Sequence, residues 1–82
     1  MEMPCDVIAE HSIKGQIIPL RLRVREGNNL IARNIEAFKE LPETQEHRGT
    51  RIYKCRIHQD GMQFDCELRY DVKAMRWTLY KR

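Results

Sequence analysis

Apolar and polar positions alternate through most of the chain, and turn-forming residues break the alternation at short intervals. The breaks are Lys14-Gly15, Gly27-Asn28-Asn29, Arg48-Gly49, Asp60-Gly61 and Asp71 to Ala74. Period-two segments between closely spaced breaks predict an antiparallel meander. The clearest unit is residues 51–70. A two-residue turn at Asp60-Gly61 needs positive φ at both positions, which Asp and Gly tolerate. Folding the chain there sets Tyr53 opposite Leu68, Cys55 opposite Cys66 and Ile57 opposite Phe64 on one face. Met62 and Tyr70 extend that face. The other face then pairs Lys54 with Glu67 and Arg56 with Asp65, both opposite in sign. A slip of one residue would bury the charges and expose the apolar set, so both patterns select one register.

The chain then turns and returns as Met75 to Lys81, with Trp77 and Leu79 directed inward. Near the start, Val7 and Ala9 alternate with Asp6, Ile8 and Glu10. Ile18 to Arg25 is the most regular strand. Ile18, Leu20, Leu22 and Val24 face one way, and Pro19, Arg21, Arg23 and Arg25 the other. Pro19 lacks an amide donor, which places it near a strand end or on an edge. In residues 30–41, Ile31, Ile35, Phe38 and Leu41 recur at helical spacing, and Asn29 suits a helix N-cap. The hairpin chemistry of Gly27-Asn28-Asn29 favours an extended, bulged strand from Leu30 to Phe38, with a short helix as the alternative. Residues 42–50 read as a polar, mobile loop.

The expectation is an all-β domain of about six short antiparallel strands, closed into a small barrel or a strongly curved sheet. Its predicted core is Val7, Ile18, Leu20, Leu22, Tyr53, Cys55, Ile57, Phe64, Cys66, Leu68, Trp77 and Leu79. Removing Trp77 or Phe64 to alanine is expected to cost about 3–5 kcal/mol, comparable to the whole stability of such a domain.

The segments Asp6-Val7-Ile8-Ala9, Pro19-Leu20, Tyr53-Lys54-Cys55-Arg56-Ile57 and Arg76-Trp77 occur in an order that resembles a group of short uncharacterised bacterial proteins from Gram-positive anaerobes. Those proteins share a D-V-I-A start, a P-L strand, a Y-x-C-R-I strand and a late tryptophan. The resemblance implies a β-rich fold and no particular chemistry.

Composition bounds the function. The 82 residues are 41% hydrophobic and 33% charged, which suits one globular domain over residues 1–82. A domain this small spends its large apolar side chains on the core and leaves few to line a deep substrate pocket. No window approaches the roughly 18 apolar residues of a membrane span. Met1 to Asp6 lacks the basic start of a signal peptide. Three cysteines, an odd number without a CxxC, do not suit a secreted disulfide scaffold. These features together predict a cytoplasmic setting.

Candidate chemistries fare poorly. Cys55 and Cys66 face each other at a separation that permits a disulfide, but in a cytoplasmic chain they read as buried reduced thiols. Cys5, His11, His47 and His58 complete the possible metal ligands, and no two stand at knuckle spacing, so neither a metal nor a cofactor is expected. Ser12 has no nucleophile-elbow context, and His11 points to the opposite face. His58 sits on the solvent face. Asp65 and Glu67 read as cross-strand ion pairs. An enzyme, and with it a small-molecule substrate, is therefore the least expected class. Surfaces remain. The net charge of +3 carries ten arginines against five lysines. Arg21, Arg23 and Arg25 form a stripe that, with Tyr80 as a stacking ring, could follow a nucleic-acid backbone, unless Asp6 or Glu10 lies opposite and cancels it. The leading expectation is a binding module for a partner protein or a second copy, since small β domains leave sheet edges for strand addition. Weak nucleic-acid binding is the alternative.

Overall fold

The computed structural model describes residues 2–81. Six strands follow one another as β1 (Glu2–His11), β2 (Ile17–Glu26), β3 (Asn29–Glu40), β4 (Thr50–Gln59), β5 (Met62–Asp71) and β6 (Arg76–Lys81). Each pairs antiparallel with the next, and β6 returns to β1, so the meander closes into a barrel. Closure answers the problem of exposed sheet edges, since every strand gains a neighbour on both sides over part of its length.

The β4–β5 hairpin has the register that alternation predicts, with Tyr53 opposite Leu68, Cys55 opposite Cys66 and Ile57 opposite Phe64. Asp60 and Gly61 both adopt positive φ, at 51° and 77°. On the outer face Arg56 meets Asp65 at 3.3 Å. Lys54 does not pair with the opposing Glu67, which instead binds Arg69 at 2.8 Å. The interior holds Ile17, Leu22, Val24, Tyr53, Cys55, Ile57, Cys66, Leu68 and Leu79, with Val7, Ile31, Ile35 and Trp77 packed against them. The rings of Phe38 and Trp77 flank Tyr53 with centroids 6.1 and 5.8 Å away.

Two bulges explain where pattern and structure part. In β2, Arg21 opposes Ile8 but Pro19 opposes Ala9, so Leu20 is an extra residue. The alternation changes phase there. Ile17 and Pro19 turn inward and are buried, Ile18 is only half-buried, and Leu20 is 45% exposed. The expected core positions Ile18 and Leu20 are thereby corrected. In β3, Ile35 opposes Ile57 but Ala37 opposes Arg56, so Glu36 is the extra residue. That insertion turns a two-residue repeat into the three-residue step from Ile35 to Phe38, which imitates helical spacing. Residues 30–41 hold no helix. Phe64 is a third correction. Its register directs it to the inner face, but it lies near the start of β5 and is 43% exposed.

The polar stretch after β3 contains a short 3-10 turn, Gln45–His47. Gly49 ties its end down, donating its amide to Glu43 Oε1 at 3.1 Å and accepting the Val72 amide at 3.0 Å.

Candidate functional site

The bulges also mark where the barrel wall comes apart. The β2–β3 ladder stops at Arg21 and Asn34. On the other side, the β1–β6 ladder runs only from Glu2–Tyr80 to Cys5–Trp77. β1 continues to His11, but β6 begins at Arg76. Residues 6–11 of β1 are therefore paired on their β2 side only. Their other edge presents a row of backbone N–H and C=O groups with no partner strand among the described residues. The hairpin is held in place beyond this point by Ile17, which joins the core, and by Arg51, whose Nη1 donates to the Gly15 carbonyl at 3.0 Å.

A groove runs along this edge between β1 and the start of β6. Val7, Ala9, Tyr70 and Trp77 supply its apolar lining, and Asp6, His11 and Arg76 its polar lining. The rings of Tyr70 and Trp77 pack in a tilted pair with centroids 4.8 Å apart. β1 itself keeps an unbroken alternation, with Met3, Cys5, Val7 and Ala9 half-buried and Pro4, Asp6, Ile8 and Glu10 exposed. The edges of β2 and β3 beyond their ladder carry a bulge or a proline, which makes them poorer acceptors for a new strand. The β1 edge was missed in the sequence because it arises from unequal strand pairing, which alternation does not report.

The expected arginine stripe is present but broken. Arg21, Arg23 and Arg25 all face outward on β2 and are exposed. Asp6 opposes Arg23 and holds it at 2.8 Å. Arg21 and Arg25 have no ion pair among the described residues. Tyr80 lies on β6, opposite Glu2 and Glu67, with β1 between it and the stripe. The Arg69 guanidinium covers its ring at 4.3 Å. The structure therefore does not bring Tyr80 together with the arginines. A separate basic spot lies on β3 and β4, where Lys39 directly opposes Lys54.

The remaining candidates are chemically quiet. Burial pushes the thiols of Cys5 and Cys55 up to about 12 and that of Cys66 up to about 11, from an ordinary 9.0. They hold their protons at neutral pH, which leaves them poor nucleophiles. Among the described residues no His, Cys, Asp and Glu side chains group into a metal site. The Nδ1 of His58 lies 2.9 Å from Glu36 Oε1, and Gln63 donates to Glu36 Oε2 at 3.1 Å. The β3 bulge that inserts Glu36 creates this contact, which the sequence did not reveal. It lies open to solvent.

Comparison with family models, curated proteins and solved structures finds no match to this chain.

Proposed function

We propose that this domain is a small non-enzymatic binding module that takes up an extended segment of a partner protein by adding it as a strand to β1. The observation that carries this reading is the unpaired edge of residues 6–11 beside a groove that sets Val7, Ala9, Tyr70 and Trp77 among the polar groups of Asp6, His11 and Arg76. Backbone hydrogen bonds to the edge would supply affinity, and side chains alternately facing the groove would supply selectivity. The segment has room for about six residues, roughly 20 Å at strand spacing.

A second copy paired about Ile8 is disfavoured. Two β1 edges pairing antiparallel about Ile8 would set Asp6 of one against Glu10 of the other, twice. Directly opposed like charges are destabilising. The test is titration of 15N-labelled protein with a mixed pool of short extended peptides. Amide shifts concentrated at residues 6–11 support the reading, and their absence at millimolar peptide sinks it. Sedimentation run in parallel should show a monomer.

Nucleic-acid binding is the second reading, favoured by the exposed, unpaired Arg21 and Arg25. It asks for an affinity that falls steeply with salt. With Arg23 neutralised and Tyr80 elsewhere, it has fewer contacts to draw on than the sequence promised.

A further inference from the structure

The groove along β1 reaches the start of β6, where Arg76 stands. The slot lies in line with β6, since the ladder position after Cys5–Trp77 would set Asp6 beside Arg76. A strand lying there in the same sense as β6 runs antiparallel to β1, from His11 towards Arg76. It then meets the β5–β6 turn. That turn is firmly built: the Met75 amide donates to the Asp71 carbonyl at 2.8 Å. The Asp71 carboxylate takes the amides of Lys73 and Ala74 at 3.0 Å each. A bound chain cannot continue straight through the turn, and a chain that ends there needs no bend. At this stop Arg76 is exposed and has no ion pair among the described residues. Two carboxylates sit at neighbouring ladder positions: Asp6 is held by Arg23 at 2.8 Å, and Asp71, directly opposite Arg76, accepts the turn amides.

Resting on the strand-addition reading, we propose that the slot recognises the free C-terminus of a partner protein, with the terminal carboxylate placed against Arg76. Directly opposed residues share a face in an antiparallel pair. The terminal residue, opposite Val7, points to the groove face that Val7, Ala9, Tyr70 and Trp77 line, and so does the residue opposite Ala9. Between them, the residue opposite Ile8 meets a side chain that is 64% exposed, so an apolar group is favoured. The residue opposite Glu10 meets a carboxylate that has no ion pair among the described residues, so a basic group is favoured. The partner tail therefore reads basic, apolar, apolar, apolar, carboxylate.

The probe is the peptide acetyl-Ser-Lys-Val-Ile-Val as the free acid, compared with its C-terminal amide and with a Lys-to-Glu version. Binding is read by the fluorescence of Trp77, the single tryptophan, and by amide shifts of the labelled protein. The free acid should bind with shifts at residues 6–11. Amidation should weaken binding about tenfold or more, the loss expected for a charge-assisted hydrogen bond. Arg76→Gln should weaken the acid by a similar factor and leave the amide unchanged, while Arg76→Lys should retain most of the acid's affinity. The Glu version should also bind more weakly. Acid and amide binding equally, with shifts at 6–11, would overturn C-terminal recognition and leave strand addition standing. No shifts at 6–11 with either form would overturn both.

Discussion

Leu20 and Leu22 sit two residues apart in an alternating segment, and the pattern alone assigns both to the core. The structure separates them. Leu22 is 1% exposed and Leu20 is 45% exposed, because the bulge at Leu20 shifts the phase of β2. Leu22→Ala removes buried methyl and methylene groups and leaves a cavity between strands that are held by their ladders. Such a change costs about 3 kcal/mol or more. Leu20→Ala removes a side chain already half in water and costs under about 1 kcal/mol. A domain of 82 residues has a total stability of about 4–12 kcal/mol. The Leu22 variant therefore loses a quarter or more of it, which lowers Tm by roughly 12–24 °C. Urea denaturation of both variants, followed by Trp77 emission, measures the difference. Equal losses would place Leu20 inside and refute the bulge. A larger loss for Leu20 than for Leu22 would invert the phase of the whole strand.

Other consequences follow from individual groups. The Cys55 and Cys66 protons are held more tightly in the folded state than in the unfolded one, since burial raises both thiols above 9.0. The unfolded chain releases these protons first as pH rises, so stability is intact below pH 9. It then falls by about 1.4 kcal/mol per thiol per unit up to their folded values. Cys55→Ala should flatten the decline of Tm between pH 9 and 10.5, and an unchanged slope would refute the burial argument. Phe64→Ser should cost far less than the 3–5 kcal/mol of a buried aromatic, and a collapse of the fold would return Phe64 to the core. Fluorescence anisotropy with single-stranded oligonucleotide at about 50 and 200 mM salt should show little binding. Strong, salt-sensitive binding lost in Arg21→Gln with Arg25→Gln would promote the second functional reading.

The fold was legible where two independent patterns agreed. In residues 51–70 the apolar pairs, the charge pairs and the Asp60-Gly61 turn all demand one register, and the ladder follows it. Legibility ended where a single residue was inserted. Alternation assumes one residue per rung, so the bulges at Leu20 and Glu36 shift everything on one side of them. At Glu36 the shift even imitated a helix. Ion pairing was legible only in part, because an opposed pair competes with neighbours on the same strand. Glu67 chose Arg69 over Lys54. The arginine stripe could be read from β2 alone, but its neutralisation by Asp6 required the β1 register. The β1 edge was least legible of all. It exists because a ten-residue strand lies beside a six-residue one, and that mismatch becomes visible only once the pairing is known.

The most direct test of the central claim is isotope-filtered NMR of the labelled domain with the unlabelled free-acid peptide. Strand addition at β1 predicts intermolecular cross-strand contacts between peptide backbone protons and those of residues 6–11, in antiparallel order. It also predicts slowed amide exchange along that edge. Contacts that fall instead around Arg21 and Arg25, or no contacts at all, would contradict it.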